Sequence, residues 1–304
     1  MHPHVFLNDR LLEASKARLP AVAGAALHGR GVFTTLAVYG GLPFLWEAHW
    51  SRLGDHARRA GVECPFDEEE TRAALGRLIE KNKVERGRAR VTVLARGSGG
   101  MWQAADAGGE GLSEGGGGSG GSSSSGGDGA RPSDLLLMTG DVRRAEEETL
   151  ALTISPFRTN THSPLAGLKT VNYLEHVLSW EESRSRDFDE ALVLNERGEV
   201  ASATMANIFW VKHGTVYTPA LATGALAGTT RARIIELAEE MAVPLVEGVQ
   251  DIHALADADE IFLTSAGLGV ALVTTFDFHR YTVPVGSVAL RLGEAFRQLT
   301  LGAA

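Results

Sequence analysis

Ser163-Pro164-Leu165-Ala166-Gly167-Leu168-Lys169-Thr170-Val171-Asn172-Tyr173-Leu174-Glu175 is the stretch around which the chain is organised. The sequence holds only five lysines. Lys16, Lys81, Lys83 and Lys212 stand in charged or turn-like surroundings, as solvated lysines do. Lys169 instead follows Pro-Leu-Ala-Gly-Leu, precedes Thr-Val-Asn, and has no acid within five residues on either side. Apolar surroundings favour the neutral amine, the form a Schiff-base lysine needs. The competing reading is a lysine that snorkels from a partly buried loop. The text that follows decides between them.

That text runs Phe188-Asp189-Glu190-Ala191-Leu192-Val193-Leu194-Asn195, then Met205-Ala206-Asn207-Ile208-Phe209-Trp210, Tyr217-Thr218-Pro219 and Gly224-Ala225-Leu226-Ala227-Gly228-Thr229-Thr230-Arg231. Taken in this order the motifs resemble the class IV aminotransferases, which are fold-type IV pyridoxal-phosphate enzymes. That family includes branched-chain and D-amino acid aminotransferases and aminodeoxychorismate lyase. The resemblance spans nearly the whole chain. It implies an α/β (α+β) two-domain fold, D-amino acid aminotransferase-like. It further implies pyridoxal 5′-phosphate in the cleft between the domains, and a homodimer in which residues approach the site from the partner chain.

Composition narrows the alternatives. At 304 residues the chain can form two domains with a large buried core. A formal net charge of −9 argues against nucleic acid as a partner, because a phosphate backbone wants a basic face. Cys64 is the sole cysteine, so no intrachain disulfide and no C-x-x-C metal pair can form. Met1-His2-Pro3-His4 lacks the basic start and apolar run of a signal peptide, and no apolar stretch approaches membrane-spanning length. The expectation is a cytoplasmic protein.

Strand, turn and strand are read over Val5–Glu13, and β-branched strand pattern over Gly29–Tyr39. Helical spacing follows over Glu47–Gly61, where His49 and Arg52 share a side, and again over Thr71–Asn82. Arg90–Ala95 and Ser133–Thr139 read as strands that flank a Gly/Ser tract at about 107–130. Such a tract cannot bury enough apolar surface to offset the entropy of ordering it, so it is expected to be a disordered, inert insertion. The domains are expected at 1–140, smaller, and 145–304, larger and carrying the lysine. In the second, Thr170–Arg184 reads as a helix with Val171, Leu174, Val177 and Leu178 inward, and Thr229–Met241 as another.

The resemblance assigns candidate roles. Lys169 takes the Schiff-base position, and its freed amine would shuttle the α-proton. Thr229 and Thr230, opening a helix, match the element that holds the cofactor's phosphate; taken alone, a Thr there reads as a cap. Arg52, in His49-Trp50-Ser51-Arg52-Leu53, matches the family's phosphate arginine. Ser265 and Ala266 match a second phosphate loop. Tyr173 is a candidate for the cofactor's hydroxyl, or a core tyrosine. His162 is a loop histidine that could reach a substrate or simply satisfy backbone groups.

One position departs from the family. Relatives carry a Glu five residues before the Asn of N-[IL]-F, holding the ring nitrogen protonated; here Ser202 stands there. Glu199, the nearest acid, falls on the other face of the strand. Phe33-Thr34-Thr35, Arg96-Gly97-Ser98-Gly99-Gly100 and Asn207-Ile208-Phe209-Trp210 resemble aminodeoxychorismate lyase more than the aminotransferases. The lyase converts 4-amino-4-deoxychorismate to 4-aminobenzoate and pyruvate on the folate route. The alternatives are a branched-chain or D-amino acid aminotransferase using 2-oxoglutarate, and a binding protein that has lost the cofactor.

Overall fold

The computed structural model describes residues 1–97, 131–142 and 149–302. The Gly/Ser tract, and residues 143–146 of the domain boundary expected over 140–146, lie outside the described residues.

The first sheet contains β1 (His4–Leu7), β2 (Arg10–Glu13), β3 (Gly31–Tyr39), β4 (Leu42–Pro43), β5 (Arg86–Ala95) and β6 (Ser133–Gly140). Their order is β2-β1-β6-β5-β3-β4, and every pairing is antiparallel. A short helix α1 (Gly24–His28) precedes β3, while α2 (Trp46–Arg59) and α3 (Glu68–Asn82) cover one face of the sheet. The core there joins Val32, Leu36, Val38, Val91 and Val93 of the strands to Trp46, Leu53, Leu75 and Leu78 of the helices. Residues of β5 alternate by the two-residue strand period. Gly87, Ala89 and Val91 face that core, which turns Arg86, Arg88 and Arg90 to the opposite side.

The second sheet is mixed. It runs β12 (Leu245–Gly248), β11 (Thr215–Pro219), β10 (Asn207–Lys212), β13 (Glu260–Ser265), β14 (Gly269–Phe276), β7 (Thr149–Thr159), β8 (Glu190–Asn195) and β9 (Val200–Ala203), with β15 (His279–Arg280) paired to β14. All six residues of β8 are buried, which is why Glu-Ala-Leu-Val-Leu-Asn reads as one continuous run. Against this sheet lie α4 (Leu174–Ser185), α5 (Thr229–Glu240), α6 (His253–Ala256) and α7 (Val288–Gly302). Its two faces carry separate apolar clusters, one around Ile208, Trp210 and Leu263, the other around Phe209, Phe262 and Leu292.

Two expectations are corrected. The helix expected from Thr170 begins at Leu174, because the segment before it is extended and bonded to the first sheet. Phe33 N–H donates to Lys169 O at 2.9 Å, Val171 N–H donates to Gly31 O at 2.9 Å, and Thr170 bridges Val32. Leu174 and Leu178 do not point inward either. They are 63% and 44% exposed, and Ser179 and Ser183 are the buried positions of α4. Smaller differences are that β5 begins at Arg86, and that β7 continues past Ser155 to Thr159 through a register shift. Thus Lys169 belongs in sequence to the second sheet's chain but in hydrogen bonding to the first.

Gly31 is the point of closest approach. A Cβ there would meet Val93 O at 2.8 Å and Val171 Cγ2 at 3.1 Å, so backbone on one side or the other would have to move. Gly31→Ala is expected to destabilise the protein by about 1–3 kcal/mol, the usual cost of overpacking. Urea unfolding checks this, and an unchanged midpoint contradicts the packing described.

Candidate active site

Between the two sheets lies a cavity of about 560 Å³. Lys169, Arg52, Tyr173, Ser202, Thr229, Thr230, Ser265 and Ala266 all line it, so residues scattered over the sequence converge on one space. His162 does not line it and is exposed. Glu199 does not either, its carboxylate being occupied by Asn195 and Arg197. Arg96 is paired with Asp134 at 2.8 Å outside the lining; Ser98–Gly100 of the same motif lie outside the described residues.

The Lys169 peptide is held at both ends. Its carbonyl takes the Phe33 N–H, and its own N–H donates to His56 Nδ1 at 3.0 Å. The amine then faces aromatic walls, with Nζ 4.7 Å from the Phe33 centroid, 4.8 Å from that of Tyr173, and 3.4 Å from the Tyr173 hydroxyl. Burial, then the positive charges of Arg52 and Arg90, push its pKa down to about 7. The aromatic faces favour the ammonium by about 0.5–2 kcal/mol, less than desolvation and two guanidiniums oppose it. Tyr173, the N-cap of α4, reaches Lys169 from outside the helix. Burial, then the Glu190 carboxylate, raises the Tyr173 phenol to about 12, so it stays a donor. Glu190 itself is fully buried and accepts from the Thr204 hydroxyl.

The opposite wall is built by α2 and the start of α5. Arg52 donates to Thr34 Oγ1 at 2.9 Å and to Ala227 O at 3.1 Å. Burial lowers it to about 10, which still leaves it charged at neutral pH. The α5 N-cap is Gly228, which offers no capping side chain, and a Cβ there would sit 2.0 Å from Asn207 Oδ1. Asn207 Nδ2 in turn donates to Leu226 O at 2.8 Å and ties the approach to α5 onto β10. The helix therefore presents Thr229, Thr230 and its first N–H groups to the cavity, a setting that attracts an anion. Two buried polar atoms beside it, Arg52 Nε and Thr264 Oγ1, have no hydrogen-bond partner among the described residues. Orphaned donors around a helix N-terminus fit a phosphate, and a neutral lysine with aromatic walls fits an aldehyde-bearing ring.

Several lining residues had not been singled out. Arg88 and Arg90 come from β5, and Arg158 from the end of β7. Arg90 stacks on Phe33 with Cζ 3.6 Å from the ring centroid. The signal was present in Arg86-Gly87-Arg88-Ala89-Arg90, three arginines at strand spacing. His176 stacks on Tyr173 at 4.2 Å, and burial, then Lys169, lowers its pKa to about 4. Among the described residues that line the cavity the sole acid is Glu175, against Lys169 and four arginines.

A buried lysine whose proton is loosened to a pKa of about 7, beside the N-terminus of α5 and its unpaired donors, fits the site of a pyridoxal-phosphate enzyme. The amino-transferase class IV family model matches residues 31–111 and 112–276, and the chain belongs to that family. The chain is accordingly a pyridoxal-phosphate-dependent enzyme, an aminotransferase or a lyase. It is 28% identical over 298 residues to a Methanocaldococcus jannaschii chain provisionally named branched-chain-amino-acid aminotransferase, covering 97% of this chain and 96% of that one. It is 29% identical over 281 residues to aminodeoxychorismate lyase of Bacillus subtilis, covering 91% and 88%. In fold it matches the branched-chain aminotransferase of Thermoproteus uzoniensis solved with norvaline, at TM-score 0.85 and 22% identity over 99% of this chain and 96% of that one.

The Lys169 amine has a measurable signature. Unfolded, it holds its proton up to about 10.5; folded, it releases it at about 7. Between those values the unfolded chain binds more protons, so this group lowers stability progressively as pH falls from 10.5 to 7, and the cost is level below 7. Lys169→Met removes that cost. Without cofactor, the variant should be more stable than wild type by about 2–4 kcal/mol below pH 7, with the gain fading towards pH 10.5. Urea midpoints at the two ends of this range read the effect, and an equal gap at both would show that the amine is not held neutral.

Proposed function

We propose that this enzyme is an aminodeoxychorismate lyase, releasing 4-aminobenzoate and pyruvate from 4-amino-4-deoxychorismate on the folate route. The observation that carries the reading is the charge of the cavity. Among the described residues lining it, Lys169, Arg52, Arg88, Arg90 and Arg158 accompany one acid, Glu175, in a chain whose formal net charge is −9. Once a phosphate has taken the seat at α5 and Arg52, Arg90 and Arg158 still line the opposite wall. A substrate with two carboxylates suits that wall; a branched aliphatic side chain would leave guanidiniums facing hydrocarbon. The cavity equally accommodates 2-oxoglutarate, which keeps the aminotransferase as the second reading. Ser202 favours the lyase.

Arg52, Thr229, Thr230, Ser265 and Ala266 would hold the phosphate, Lys169 the aldehyde carbon, Tyr173 the ring hydroxyl and Ser202 the ring nitrogen. When bound, the cofactor supplies an electron-accepting ring. The remaining work falls to side chains. Lys169 Nζ, which burial and two guanidiniums leave about half unprotonated near pH 7, takes up the substrate's α-proton in that form and returns a proton later. Tyr173, protonated throughout, donates a hydrogen bond and no charge. Arg90, fixed over Phe33, and Arg88 orient the substrate carboxylates. The Ser202 hydroxyl can hydrogen-bond a neutral ring nitrogen but has no charge to keep it protonated. Amino transfer relies on that charge more than an elimination drawn forward by aromatisation does.

The two sheets are proposed to be the two domains, 1–140 and 145–304, of a cytoplasmic homodimer. Leu174 and Leu178, exposed on one face of α4, with Phe157 and Leu165 also exposed, support the dimer. Among the described residues no helix is long and apolar enough to cross a membrane.

A paired assay tests the reaction: 4-aminobenzoate and pyruvate release against amino transfer to 2-oxoglutarate. Wild type should favour release, and Ser202→Glu should shift the ratio towards transfer by about tenfold or more, the scale of one well-placed electrostatic group. Brisk transfer by wild type with aminodeoxychorismate untouched would replace the lyase by the aminotransferase.

A further inference from the structure

A chain of buried hydrogen bonds crosses from the first sheet to α5. Arg52 Nη2 lies 2.9 Å from Thr34 Oγ1 and 3.5 Å from His49 Nδ1. Thr34 Oγ1 is 2.7 Å from His49 Nδ1, and His49 Nε2 is 3.0 Å from Thr229 Oγ1. Thr34, His49 and Thr229 are all buried.

The proton positions in this chain follow from counting donors. A guanidinium has only donors. Arg52 Nη2 therefore gives its N–H to Thr34 Oγ1, and its 3.5 Å approach to His49 Nδ1 favours a ring nitrogen that turns a lone pair, not a second N–H, towards the guanidinium. Burial, then Arg52 and Lys169, keeps the imidazole well below its ordinary pKa, so it carries one N–H. That proton belongs on Nε2. Nδ1 accepts the Thr34 hydroxyl proton, and Nε2–H donates to Thr229 Oγ1. With its oxygen already accepting, Thr229 has its own proton left to give. Thr229 is the first residue of the 12-residue α5 and lines the cavity. The opposite tautomer would spend the Thr229 proton on Nε2 and turn oxygen lone pairs towards an anion. The orphaned Arg52 Nε and Thr264 Oγ1, both buried, mark the same corner as one that expects an acceptor.

We propose that His49, as its Nε2–H tautomer, is a positioning residue that turns the Thr229 hydroxyl proton towards the cofactor's phosphate. The inference rests on the reading of Thr229 as part of the phosphate seat.

Two probes separate the possibilities when titrated into cofactor-free protein. Pyridoxine 5′-phosphate has no aldehyde and so cannot bond to Lys169; pyridoxine lacks the phosphate as well. His49→Leu should weaken pyridoxine 5′-phosphate about tenfold, the value of one hydrogen bond to a charged group, and leave pyridoxine unchanged. In a Thr229→Val background the same change should cost nothing further, because the bond it directs is already gone. His49→Gln, whose amide N–H can replace Nε2–H, should retain most of the affinity. Equal losses with both probes, or a His49→Leu loss undiminished in Thr229→Val, would mean that His49 only supports the fold, and the inference falls. If His49→Leu does not fold, the imidazole nitrogen spectrum of wild type decides. Nδ1 should resonate as unprotonated and Nε2 as protonated, and the reverse overturns the inference. A wild type that binds the two probes equally removes the phosphate seat itself, a failure distinct from that of His49.

Discussion

How one peptide is held governs the site. Lys169 N–H is given to His56 and Lys169 C=O is taken by Phe33, both on the first sheet's side of the cavity. The root of a long, flexible side chain is thereby fixed before its amine reaches the cavity. His56 can accept only while its Nδ1 is unprotonated, and burial followed by Arg52 keeps its pKa near 4, so the bond persists throughout the neutral range. Were this peptide loosened, water would reach the amine and its proton would return.

The same helix supplies the rest of that wall. His49, Arg52 and His56 recur at three- and four-residue spacing along α2, so a single helix face contacts Thr34, the start of α5 and the lysine peptide. Both histidines are kept neutral by burial beside Arg52 and serve as hydrogen-bonding groups without charge. The arginines have two effects. Arg52 and Arg90 repel a proton from Lys169, and they also offer anions a place to bind. An anion seated on them cancels part of that repulsion and makes the amine a stronger base at the moment substrate arrives.

Much of this was legible in the sequence, for identifiable reasons. Lys169 stood out because apolar neighbours around a lysine are unusual, and the motif order placed Thr229, Thr230, Ser265 and Ala266, which the fold brings to the same cavity. Ser202, placed by its spacing from Asn207, lines the cavity; Glu199 does not, its carboxylate being held by Asn195 and Arg197 beyond the register shift of β9. Pattern reading failed where a tertiary contact overrides it. Thr170-Val171 continues the helical spacing of α4, yet those residues pair with β3 and leave the helix to begin at Leu174. Leu174 and Leu178 look like core and are exposed, because α4 turns Ser179 and Ser183 inward instead, with Ser179 Oγ donating to Ser155 Oγ of β7. The arginines of β5 were passed over because burial of Gly87, Ala89 and Val91 on one face says nothing, without the fold, about what the other face meets.

The central claim is that Lys169, and none of the other four lysines, carries the cofactor. Borohydride reduction of the cofactor-loaded enzyme, followed by digestion and mass spectrometry, tests it directly. The account requires a pyridoxyl group on Lys169. An adduct confined to Lys16, Lys81, Lys83 or Lys212, or none in protein shown to hold the cofactor, would contradict it.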